Sequence, residues 1–501
     1  MKQPASAVTK AAGSRTDGRT AWPVLAAGVA VSLVVLGAGL AYLRSHPPNL
    51  DIPFDLRIYR AGGLIAGHIR PWYDPRLGSP LYGWPGYQGY RFTYTPFAAL
   101  AFTMLSSLTA VQLAAGSVAV SVGALAIAVW VTLGALDIRP RSARAGLTLL
   151  AAVTTLALEP VQRTLSLGQI ELVLMALVIW DMCQPDRRRW KGIGVGIAAG
   201  VKLVPLICVP YLLLTGRHRQ AAVAAATFAA TALAGYTVLP ADSRAYWLGG
   251  MFADSGRTGF VGFGGNQSLR GIITRLVGSV TGGQPAWLAA AVLTAAVGLV
   301  CASVIDRHGH LVLGVLGCAL TGLLASPVSW DHHWVWIVPG IVTLAVYGWR
   351  AAGAARWAWT CGAVAILGVF GAWPVSMWDE PLSQTSYQLG LIWAPPDPNP
   401  AYSRLGDQPW YPAYHWRGVD LMTGNLYVLT GLLLFVLLAA VACSMAAADR
   451  DAASPGSPGE RRWLDWDRRG TAENPRTGDD QERARCQLHL AEGGEGPAEP
   501  D

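Results

Sequence analysis

Long apolar runs alternate with short basic connections and with long polar connections rich in aromatics, glycine and proline. Trp22 to Leu43 is apolar over about 20 residues, enough to cross a bilayer as a helix. Pro96 to Leu136 is apolar too. It divides into a short interfacial or re-entrant helix over 97–108 and a span over 111–136. Further helices are expected over 145–158, 169–183, 218–239, 286–305, 310–326, 334–349, 357–377 and 425–447. Residues 192–215 lie between the basic clusters RRRWK (187–191) and Arg217-His218-Arg219, so they must fold as a hairpin of two short helices with Lys202 near its turn.

The positive-inside rule orients the chain. Arg139, Arg141 and Arg144, the 187–191 cluster, Arg217 and Arg219, Arg307, and Arg350 and Arg356 all fall on one side if both termini are cytoplasmic. The polar loops 44–95, 240–284 and 378–424 then fall outside. The pattern predicts an all-α polytopic membrane protein of roughly 10–13 transmembrane helices with large extracytoplasmic loops. Residues 1–21 read as a disordered cytoplasmic start, 22–447 as the membrane domain and 448–501 as a disordered cytoplasmic tail.

Composition agrees. Of 501 residues, 52% are hydrophobic and only 14% charged, and the mean hydropathy is +0.34. The net charge of +7 sits in connections between apolar runs, so it argues for loops on the cytoplasmic side and not for nucleic acid. Cys183, Cys208, Cys301, Cys318, Cys361 and Cys443 read as small core residues, Cys486 lies in the tail, and no zinc spacing or disulfide framework is expected.

Candidate chemistry gathers on the outer face. The 53–96 loop is too polar to span a bilayer and opens with Asp55 and Arg57, so it is the candidate carrier of a catalytic base. Asp55 is equally suited to capping a helix over Leu56 to Ala66, and Arg57 and Arg60 to facing water or headgroups. SPVSWDHHW sets Asp331, His332 and His333 between two apolar helices. Gln169 and Glu171 begin a span, where a carboxylate is costly unless paired or used. Lys202 at a membrane hairpin suits a lipid phosphate, or snorkels. The outer-loop aromatics, Trp72, Tyr73, Trp84, Tyr87, Tyr90 and Tyr94 among them, suit sugar stacking or loop packing.

DLRIYRAGG (55–63), FTYTP (92–96), LGQIELVLMAL (167–177), AAGVKLVPLICVPYLLL (198–214), NQSLRG (266–271) and SPVSWDHHWVWIVP (326–339), in this order, resemble glycosyltransferase family 87, over about residues 22 to 350. The chain departs from the family at Thr95, where a second proline is usual, and at Glu171, where Asn is common. The resemblance implies a GT-C-type helical bundle that moves a sugar, mannose in the nearest members, from a polyprenyl-phosphate donor. The acceptor would be a cell-envelope glycolipid or lipoglycan on the outer side of the plasma membrane. It implies Asp55 as general base and His332 or His333 in the site, with Arg57, Arg91, Tyr94, Gln169, Glu171, Lys202, Asn266, Gln267 and Asp331 as binding positions. No cofactor and no metal are expected, and the partners are donor, acceptor and membrane lipid. One displacement would invert a β-linked donor to an α-linked product. Arabinofuranosyl transfer, lipid-linked sugar transport and a non-catalytic assembly role are the competing readings.

Overall fold

The computed structural model describes residues 18–45, 51–67, 79–87, 89–373, 389–395 and 412–453. The expectations for the first 17 residues, Trp72, Tyr73, most of the 378–424 loop, Cys486 and the tail beyond 453 lie outside them. The chain divides into two units, Met1–Cys443 and Ser444–Asp501, and the whole site lies in the first.

The described residues are helical, with isolated bridges and no β-strand among them. Five helices are long and apolar enough to cross a membrane: Ala110–Ala135, His218–Val238, Val280–Arg307, Gly353–Phe370 and Leu426–Arg450. A sixth span is possible if Glu159–Leu167 and Glu171–Met182, bent by 117°, count as one. Shorter apolar helices over Trp22–Gly37, Pro96–Leu105, Val204–Leu214 and Leu311–Ala325 join them. The chain is thus a polytopic helical membrane protein in which long spans alternate with short or broken helices. Val292, Val436 and Leu233 are exposed on long spans, as lipid-facing side chains are.

Small residues set the helix spacing. Helix α1 (Gly18–Ser45) crosses α2 (Arg141–Thr155) where Gly28 faces Gly146. A Cβ on either glycine would meet the other helix's backbone at 2.4 Å. Gly192 at the N-cap of helix α3 (Ile193–Val201), and Gly196 and Gly200 within it, lie four residues apart, against Gln220, Thr227 and Thr231 of the next long helix.

The 192–215 stretch is a hairpin, as the flanking basic clusters require. Helix α3 leads out and α4 (Cys208–Leu214) leads back. Both ends meet at Asp186, which binds Lys191 Nζ at 2.7 Å and Arg217 Nε at 3.1 Å. Arg217 also pairs with Asp306, which accepts from Tyr211 at 2.7 Å. Lys202 stands at the turn in extended conformation (φ −142°, ψ 128°).

Two local features aim the site residues. Helix α5 (Glu159–Leu167) ends at Gly168, whose φ of +70° favours glycine and whose missing Cβ leaves room for Pro53 and Leu56. The chain then turns sharply into α6 (Glu171–Met182), leaving Gln169 in the elbow. Second, Asn266 bridges Trp330: Gln267 N donates to Ser329 O at 2.8 Å and Asp331 N to Gly265 O at 2.9 Å. This pairing fixes the start of the Asp331–Trp336 3-10 helix.

Two expectations are corrected. Asp55 is not a helix cap: α7, Phe54–Ala66, is preceded by Pro53, and Asp55 lies inside its first turn. Cys361 and Cys443 are exposed, unlike buried Cys208, Cys301 and Cys318, because their helices turn those faces outward.

Candidate active site

A cavity of about 500 Å³ is walled by the Asp55 helix, the 90–94 strip, the Lys202 turn, the 251–258 loop and the 326–333 segment. Asp55, Arg91, Tyr94, Gln169, Lys202, His332 and His333 all line it. Residues nearly 280 positions apart in sequence are therefore neighbours, brought together by the elbow, the hairpin and the Asn266–Trp330 bridge.

Gln169 orients the carboxylate. Its Nε2 donates to Asp55 Oδ2 at 2.7 Å. Its Oε1 accepts from Tyr94 Oη at 3.0 Å and from Tyr59 Oη, and the two tyrosine hydroxyls lie 2.6 Å apart. With Gln169 fixed by two phenols, Asp55 Oδ1 is left without a hydrogen bond among the described residues, and Asp55 lines the cavity. Burial raises the Asp55 pKa, and Glu171 adds to the rise; nearby His332 and the Gln169 hydrogen bond work against it. A carboxylate with a raised pKa is a better base near neutral pH.

The two histidines differ in role. His333 Nε2 lies 2.9 Å from Lys202 Nζ and 3.3 Å from Glu171 Oε1, and Lys202 forms an ion pair with the same Glu171 oxygen. Burial and the Lys202 charge hold the His333 pKa well below its usual value, so the ring is neutral and accepts from the ammonium. His332 turns the other way. Its Nδ1 meets Asp331 Oδ1 at 3.1 Å, and its buried Nε2 has no partner. Asp331 is gripped from behind by Arg163 Nε at 3.2 Å. Burial disfavours the Asp331 carboxylate, yet the His332 hydrogen bond and Arg163 hold its pKa down to about 2. An ionised Asp331 accepts from His332 Nδ1–H and so orients the ring, whose residue lines the cavity.

Several expected binding positions lie outside the cavity wall. Asp331 sits behind His332, and Glu171 sits behind Lys202. Arg57 pairs with Asp51 at 3.1 Å and donates to Ile52 O. Asn266 and Gln267 are fully buried and hydrogen-bond to backbone: Asn266 to Val261 O and Ser329 N, Gln267 to Gly264 O, Gly424 O and Val428 N. They bracket loops together and reach no open space. Glu171, His332 and His333 offer three donor atoms within 4.8 Å of one another, a grouping that could hold a cation, but the Lys202 ammonium already engages two of them.

Relatives match most of the chain. A profile of glycosyltransferase family 87 matches residues 92–327. A polyprenol-phosphate-mannose-dependent alpha-(1-2)-phosphatidylinositol mannoside mannosyltransferase of Mycobacterium tuberculosis is 34% identical over 360 residues, 68% of this chain and 79% of the relative. The chain belongs to glycosyltransferase family 87. A pentamannoside mannosyltransferase of the same species and donor is 32% identical over 75% of this chain and 85% of its own length. A phosphatidylinositol mannoside mannosyltransferase of Mycolicibacterium smegmatis is 32% identical over 65% and 78%. No solved structure matches at a significant level. As a member of family 87, the protein is a membrane hexosyltransferase.

Tyr59, Arg163 and Glu159 join the site without having been singled out in the sequence. Each was within reach of helix periodicity. Tyr59 follows Asp55 by four residues and shares its face, and Arg163 follows Glu159 by four. Glu159 is buried, accepting from Tyr427 at 2.8 Å and Trp393 at 3.3 Å, and braces α5 behind Asp331.

Proposed function

We propose that this family 87 enzyme transfers a mannosyl residue from polyprenyl-phosphate mannose to a phosphatidylinositol-mannoside-type glycolipid, with inversion to an α-1,2 linkage, on the extracytoplasmic face of the plasma membrane. The observation that carries the reading is the Gln169-oriented Asp55 opposite His332 and Lys202 in one cavity. The names of the relatives support the donor, the acceptor class and the linkage in this reading. Charge supports the sidedness. The hairpin ends meet among Asp186, Arg217 and Arg219, and Lys202 stands nine helical residues away at the other end. A basic cluster on the cytoplasmic side leaves the cavity on the outer side.

The chemistry is a single displacement. The acceptor hydroxyl donates to the free Oδ1 of Asp55 and gives up its proton as its oxygen attacks the anomeric carbon. The bond from that carbon to the phosphate oxygen breaks, and its electron pair leaves with the phosphate. Lys202, through its remaining N–H, is a donor that lines the same space as His332 and favours the developing charge. Glu171 and His333 hold the ammonium, and Asp331 with Arg163 holds His332.

The test is purified enzyme with synthetic polyprenyl-phosphate mannose, polyprenyl-phosphate arabinose, and a panel of phosphatidylinositol mannosides. The reading expects one α-1,2-linked mannose in the product by NMR. Arabinose transfer, or passage of the lipid-linked sugar across a vesicle bilayer with no transfer, would overturn it.

A further inference from the structure

The cations of the site are unequally matched. Lys202 pairs with Glu171, Arg163 with Asp331 and Arg57 with Asp51. Arg91 and Arg257 line the cavity rim and form no ion pair among the described residues. They lie close enough for their charges to repel, and Asp254 on the same rim attracts Arg257 without pairing with it.

Arg257 is held in place all the same. Its Nη2 donates to Phe92 O at 3.0 Å, and its guanidinium lies 4.9 Å from the Tyr82 ring centroid. Tyr82 is fixed in turn by a 2.8 Å hydrogen bond to Tyr94 O and by stacking on Tyr246 at 5.4 Å. A guanidinium so braced keeps its other N–H groups oriented for an oxyanion. The flanking segment is apolar and outward-facing: Leu248 is 81% exposed and Phe252, which also lines the cavity, 49%. Paired cations beside exposed apolar side chains fit an anion with a hydrocarbon tail.

We propose that Arg91 and Arg257 form the phosphate subsite of the lipid donor, gripping the non-bridging oxygens of the polyprenyl phosphodiester and of the phosphomonoester it becomes. This rests on the mannosyl-transfer reading above. As the anomeric C–O bond breaks, the phosphate goes from one negative charge to two, and the acceptor proton goes to Asp55. Two unmatched cations therefore bind the leaving group more strongly than the donor. Lys202, neutralised by Glu171, supplies direction more than net charge.

The experiment uses the full chain in detergent, wild type against Arg257→Gln and Arg91→Gln, with farnesyl phosphate as inhibitor and kinetics for both substrates. The inhibition constant should rise about tenfold to hundredfold in Arg257→Gln and by less in exposed Arg91→Gln, with the acceptor KM little changed. Unchanged inhibition in both variants would overturn the assignment. So would a raised acceptor KM with unchanged inhibition, which would give the rim to the phosphodiester of the acceptor. If Arg257→Gln fails to fold, Arg91→Gln alone decides. A wild-type enzyme that neither transfers mannose nor responds to farnesyl phosphate would instead refute the functional reading.

Discussion

Gln169 Nε2 donates to Asp55 Oδ2 at 2.7 Å, joining the elbow between two helices to the first turn of a third. The amide can point only one way, because an ionised Asp55 only accepts, and that turns the amide oxygen toward Tyr59 and Tyr94. Gln169→Leu should therefore lower kcat about 10²-fold by freeing the Asp55 carboxylate to rotate, while leaving donor KM nearly unchanged. Steady-state kinetics on the purified variant check this; a variant that changes only KM would give Gln169 a binding role instead.

Lys202 and Glu171 should be separable by stability as well as by rate. Lys202→Met leaves the buried Glu171 carboxylate without its cation and should cost about 3–5 kcal/mol. Adding Glu171→Gln should restore most of the lost thermal stability and none of the activity. A double variant no more stable than the single one would show that the orphaned Glu171 carboxylate is not the source of the loss.

The raised pKa of Asp55 fixes two pH trends. The base must be ionised, so kcat/KM should fall as pH drops through a value above the ordinary 3.8. For stability the sign is opposite. The folded state holds the Asp55 proton more tightly than the unfolded one, so ionised Asp55 costs stability above its raised pKa, and the cost fades as pH falls to the ordinary value. Asp55→Asn should accordingly unfold at a higher temperature than wild type at neutral pH, by a margin that shrinks on acidification. A less stable variant at neutral pH would contradict the burial argument.

Transfer should be insensitive to chelation. A divalent ion at Glu171, His332 and His333 would have to displace the Lys202 ammonium from two of its partners. Activity measured with and without EDTA should agree; a loss restored by added magnesium or manganese would make the cluster a metal centre.

Much of this was legible in the chain because charge and apolar length constrain topology strongly. Two basic clusters around 192–215 forced a hairpin, and the hairpin put Lys202 at its turn. Asp331, His332 and His333 between two apolar helices had to sit at a helix boundary. The division of labour between the histidines was not legible. Adjacent residues on a 3-10 helix point to different sides, and only Asp331 behind one and Lys202 against the other give them different tasks. Asn266 and Gln267 misled for a related reason. Polar side chains in an outer loop look like ligand groups until the backbone atoms they satisfy are known. Arg257 drew no notice because a basic residue in a glycine-rich loop has no local mark of burial or of a missing counter-ion.

The central claim is that Asp55 removes the acceptor proton, and one comparison tests it most directly: mannosyl transfer by purified Asp55→Asn against wild type, with farnesyl phosphate inhibition or donor binding measured on the same samples. Loss of transfer by about 10²- to 10⁴-fold with donor affinity retained is the predicted result. Transfer at wild-type rate by Asp55→Asn would contradict it.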